Sequence, residues 1–277
     1  MAQEQLEKIR SDIILGLLFI ESILLTLVVG NKLYFWLLYL LSFVSVFLYC
    51  LIVLDVPVKG FLKNTKRNDV VFIVSLAAIF NANAAIFNNR LVLALVFIGF
   101  YLGLRFLVKT FKAHAITQIQ RNGFNLAVLF IVFLGSNLIT NLEIIAEKTF
   151  GEFAILPFNI LIFALVQMAT YYNFMKNRVA KRVARVYSVA LALLLTETSL
   201  IAGFYIEKYP NLYKAENSAN LSIVTLPLFL ITIYYLTYGL MIHKIQKKFT
   251  AKVIIEYLSV SSVIFFTLFI TIKWFGS

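Results

Sequence analysis

Runs of roughly twenty apolar residues, separated by short basic connections, recur from one end of this sequence to the other. Such runs leave few structural options. A helix needs about 20 apolar residues to cross the hydrocarbon core of a bilayer, and in lipid only helices and closed barrels satisfy their own backbone. Nine runs can be marked, near residues 12–30, 33–54, 70–88, 91–108, 123–142, 154–175, 185–206, 220–242 and 253–274. Composition agrees, with 61% hydrophobic and only 14% charged residues, where a soluble domain carries about 25% charged. The expected fold class is all-α: a polytopic integral membrane bundle of nine transmembrane helices. It is expected as a single transmembrane domain over residues 1–277, with short loops and no separate soluble domain.

Lys8 and Arg10 precede the first run, as basic residues precede a secretory signal. The run is too long for that role, Glu21 interrupts it, and no A-x-A-like site follows. It is expected to stay as a span.

The basic residues orient the chain. With the N-terminus inside, nineteen of the 25 Lys and Arg residues fall on the cytoplasmic side and every inner connection is basic. The outer side keeps Lys32, Arg90, Lys148, Lys208, Lys214 and Lys273. Positive charge is retained on the cytoplasmic side, so the N-terminus is expected inside, the C-terminus outside, and the membrane to be a cytoplasmic one. Trp36 and Trp274 then sit at outer interfaces, where amphipathic rings prefer to lie. The net charge of +12 follows from topology and implies no nucleic-acid partner.

Familiar catalytic chemistry is scarce. His114 and His243 are the only histidines, Cys50 is the single cysteine, and neither HExxH nor CxxC is present. No cofactor or metal is expected from such a set. Phosphate-cradling glycine motifs and the G-x-S-x-G elbow are missing too. Asp12, Asp55 and Asp69 stand at the ends of runs, so no intramembrane aspartyl pair is written here. An enzyme acting on lipids would have to use an unfamiliar constellation.

What remains is polarity inside the spans. Glu21 falls near the middle of the first run and Glu197 near the middle of the seventh. Acids at that depth cost several kcal/mol, so they usually face the bundle interior and mark function. With no Lys or Arg at their level, neutral hydrogen-bonding carboxyls are expected unless a bound cation supplies the charge. Thr196 and Thr198 flank Glu197 and make a polar turn around it. The pentapeptide AAIFN occurs at 77–81 and again at 84–88. At 100° per residue, Ala77, Ala78, Asn81, Ala84, Ala85 and Asn88 share one helix face, while Ile79, Phe80, Ile86 and Phe87 share the other with Asn83. Small residues with Asn rungs suit a tight helix seam. They also suit a polar wall, with Asn81 and Asn83 offering carbonyl oxygens toward Glu21 or Glu197. Gly99 and Gly103 form a GxxxG expected to pack closely, and Pro227 is expected to kink its helix more deeply than Pro157. In the string KNRVAKRVARVYS, the bases Arg178, Arg182 and Arg185 share a face suited to anionic lipid headgroups.

Two classes of function fit. In one, a small solute or ion crosses through a midplane site of Glu197, Glu21, Asn81, Asn83, Thr196 and Thr198. In the other, the same residues are packing polarity in a non-catalytic assembly subunit or receptor-like bundle with a membrane partner protein. Beyond the bilayer, neither needs a nucleotide, a metal or a resident cofactor.

Overall fold

The computed structural model describes residues 12–13, 16–18, 20–21, 23–24, 32–59, 61, 66–84, 99–108, 111, 118–150, 155–206 and 225–271. Seven long helices run through them: α1 (Lys32–Val53), α2 (Arg67–Ala84), α3 (Gln118–Phe150), α4 (Ile155–Lys176), α5 (Lys181–Ile206), α6 (Thr225–Ile245) and α7 (Ala251–Thr271). No strand occurs among the described residues. Six stretches are long and apolar enough to cross a membrane: Trp36–Val53, Arg121–Glu143, Leu156–Lys176, Lys181–Ile201, Leu226–Ile245 and Ala251–Leu268. The other three expected spans are covered in part, by helical residues around Glu21, by α2 and by the shorter apolar helix Gly99–Val108. Asn88, Arg90, the outer connection 207–220 and Trp274 lie outside the described residues.

The chain gathers into two compact units: residues 1–124 with 219–221, and residues 125–218 with 222–277. In the first, α1 packs against α2. Val46 and Cys50 of α1, with Leu54 just after it, and Val70, Ile73 and Ala77 of α2 are all buried, at the three- and four-residue steps that place side chains on one helix face. Phe80 stacks on Phe100 with centroids 3.8 Å apart, and Phe72 meets both Phe111 and Phe124. Arg105 holds Asp12 at 2.8 Å.

The second unit contains two helical hairpins, α4–α5 and α6–α7, joined where α5 packs on α6. Both hairpin turns have the same chemistry. Arg178 and Lys247 adopt left-handed φ values of 60° and 58°. Val179 N donates to Phe174 O at 3.0 Å, and Lys248 N to His243 O at 2.9 Å. This is the Schellman bond that satisfies the last carbonyls of a helix, and a base placed there complements the helix dipole. α1 ends the same way at Asp55, φ 56°, and there Lys66 Nζ caps the Leu54 carbonyl at 2.8 Å.

Close approach is made by glycines other than those of the GxxxG. Gly99 and Gly103 are exposed, and a Cβ on either would meet nothing. The expected seam is absent there among the described residues. A Cβ on Gly239 would instead run into the Tyr257 ring of α7, and one on Gly135 into the Leu165 side chain of α4. Pro157 and Pro227 each stand third in their described helix. The residues just before these helices, 151–154 and 207–224, lie outside the described residues.

Candidate functional site

The first unit brings together two of the polar residues singled out in the sequence. On α1, Tyr39, Ser42 and Ser45 follow one another at three-residue steps and form a polar line on an apolar helix. Ser45 Oγ donates to Glu21 Oε1 at 2.9 Å. Asn81 Nδ2 of α2 donates to Ser42 Oγ at 2.6 Å, and Tyr39 OH donates to the Ala78 carbonyl at 3.1 Å. Since Ser42 and Ser45 lie about 4.5 Å apart along the helix axis, Glu21 and Asn81 hang from adjacent hydroxyls. Each keeps one acceptor in hand: Glu21 Oε2 and Asn81 Oδ1 are buried, with no donor among the described residues. In lipid an unmet acceptor is costly.

Asn83 does not join this group. It is fully buried, but its amide turns back to the Ile79 carbonyl at 2.8 Å. The two rungs of the first AAIFN therefore do different work. Asn81 reaches across to α1, and Asn83 includes its own helix among its partners. Ser42 and Ser45 were missed in the sequence because serines in apolar helices are common. Their three-residue spacing was the available signal.

Glu197, expected to lead the site, is exposed on α5. Thr196 and Thr198 do not serve it. Their hydroxyls donate to Ala192 O and Leu194 O, both at 2.8 Å. Arg178, Arg182 and Arg185 are all exposed, as a lipid-headgroup face requires.

The second unit contains a buried polar knot that no sequence motif announced. Asn177 Nδ2 stands 3.1 Å from Asn125 Oδ1, 2.9 Å from Asn173 Oδ1 and 3.1 Å from Tyr238 OH. Tyr238 stacks on Tyr234 at 5.6 Å, and Thr170 Oγ1 reaches the Tyr234 hydroxyl at 3.5 Å. Amides and phenols at such distances join α3, α4 and α6. These bonds hold the three helices together.

Helices of this length and apolarity, with this much polarity turned inward, define an integral, multi-pass membrane protein. No protein family, curated protein or solved structure matches the chain. Among the described residues, no cluster of His, Cys, Asp and Glu could hold a metal ion.

Proposed function

We propose that this is a permease-like protein that moves a small cation, or a small solute bearing a cationic or hydrogen-donating group, through the Glu21–Ser45–Ser42–Asn81 cluster. The observation that carries the proposal is the pair of buried acceptors, Glu21 Oε2 and Asn81 Oδ1, without donors among the described residues. A cation or donor group bound between them would complete both, and a carboxyl so placed can exchange a proton for it. Asn83, Thr196, Thr198 and Glu197 are not part of this smaller site.

The proposal includes the finer topology: nine spans, N-terminus inside and C-terminus outside in a cytoplasmic membrane. Arg178, Arg182 and Arg185 then contact anionic headgroups, each contributing about 1 kcal/mol near a charged leaflet. A non-catalytic assembly subunit is the second reading. The observation favouring it is that the Asn81–Ser42 and Tyr39–Ala78 bonds close α1 onto α2 as a seam would.

Flux separates the two. The purified protein is reconstituted in vesicles, and uptake of radiolabelled sodium, rubidium and methylammonium is followed under an imposed potential. Transport predicts uptake of at least one probe that Glu21→Gln abolishes while its melting temperature stays at the parental value. Parental flux in Glu21→Gln removes the carboxyl from the mechanism. Absence of uptake for all three probes leaves the seam as the function of these residues.

A further inference from the structure

The outward face of α5 carries a carboxyl with no partner among the described residues. Val186, Ala190, Leu193, Leu194, Glu197 and Ile201 recur at steps of three and four, so they share one side of the helix. All six are exposed, Val186 by 62% and Ile201 by 59%. The opposite side holds Ala184, Leu191 and Leu195, each wholly buried. α5 thus turns one apolar face inward and another outward, and between Val186 and Ile201 the outward one has a single ionisable residue.

That residue is deep. Counting from Arg185, the last base before the apolar run, Glu197 lies about 18 Å along the helix, near the middle of a hydrocarbon core about 30 Å thick. It makes no hydrogen bond or ion pair among the described residues, since both flanking threonines donate to α5 carbonyls. A lipid-facing acid at this level is unfavourable, and such residues are normally paired. The described bases of this chain stand at helix ends and connections, or, like Arg105, already face an acid. A second copy packed in register would set carboxyl against carboxyl. Among the described residues no base stands beside it at that depth, so a charge brought by a different molecule would complete it.

We infer that the outer face of α5 is an interface for a transmembrane helix of a separate membrane protein, one carrying a Lys or Arg near its own midpoint, with Glu197 as the counter-charge. The apolar stripe supplies the packing surface and Ala190 lets the partner helix come close. The acid sets register and selects the partner. This interface is independent of the Glu21–Asn81 cluster.

The test uses the full chain, fluorescently labelled, in vesicles of zwitterionic lipid. The probe is a synthetic leucine–alanine helix of about 20 residues with one central Lys, compared with the same helix carrying a central Leu. Energy transfer measures association. The Lys helix is expected to bind on the order of tenfold more tightly than the Leu helix, and Glu197→Leu is expected to erase that difference. Because Glu197 is exposed, Glu197→Leu and Glu197→Gln keep the parental melting temperature, and Glu197→Gln binds the Lys helix more weakly than the parent. Equal binding of the two helices overturns the inference. So does carboxyl-dependent self-association of the chain without any probe, which would make a second copy the occupant, or unfolding of both Glu197 variants, which would make the acid structural.

Discussion

At the scale of single residues, the instructive contrast is between Asn81 and Glu197. Both are polar groups in apolar helices, and hydropathy alone ranks the acid as the more consequential. Burial reverses the order within the protein: Asn81 is 2% exposed and bonded across to Ser42, whereas Glu197 points outward. Bonds of the Asn81–Ser42 kind contribute about 0.6–2 kcal/mol in membranes. A double-mutant cycle of Asn81→Ala and Ser42→Ala, read from unfolding in detergent, should return a coupling energy of that size. A coupling near zero would mean that the two side chains do not share a bond in the folded protein. Glu21 was legible from sequence because an acid within an apolar run draws attention to itself. Ser42 and Ser45, which position the cluster, were not, because a hydroxyl can always bond back to its own helix.

At the scale of elements, helix contacts are set by where a backbone can approach, and a glycine motif does not by itself say so. Tyr257 is held between Tyr235 at 4.9 Å and His243 at 5.6 Å, so its ring has little freedom to retreat from an added methyl at Gly239. Gly239→Ala is therefore expected to lose about 1–3 kcal/mol through overpacking. Gly99→Ala and Gly103→Ala should lose nothing and gain about 0.5–1 kcal/mol each from reduced backbone freedom. Thermal unfolding of the three variants in detergent decides the matter. Destabilisation by Gly103→Ala with a silent Gly239→Ala would invert this account of the packing. Helix positions themselves were well anticipated, since the described parts of α4, α6 and α7 lie over their apolar runs. α3 extends beyond its run at both ends, to Gln118 and Phe150, because polar residues in the terminal turns still bond helically once outside the hydrocarbon.

At the scale of the molecule, the distribution of positive charge predicts which connections stay inside. A reporter fused at the C-terminus should register outside, and one inserted near residue 63 or 181 should register inside, as assayed by compartment-specific labelling. A cytoplasmic C-terminus would require an even number of spans and undo the nine-span topology.

The sequence by itself determined the class of protein and the places of its main helices. The bilayer imposes a length and an apolarity on anything that crosses it, and both are countable. Only the tertiary structure decided which side of each helix faces inward. In water, a polar stripe marks the exposed face. In lipid, the protein interior and the surroundings are equally apolar, so hydropathy carries no such sign. Gly103 and Glu197 turn outward, and Asn81 and Asn83 are buried, by contacts that form only when the helices meet.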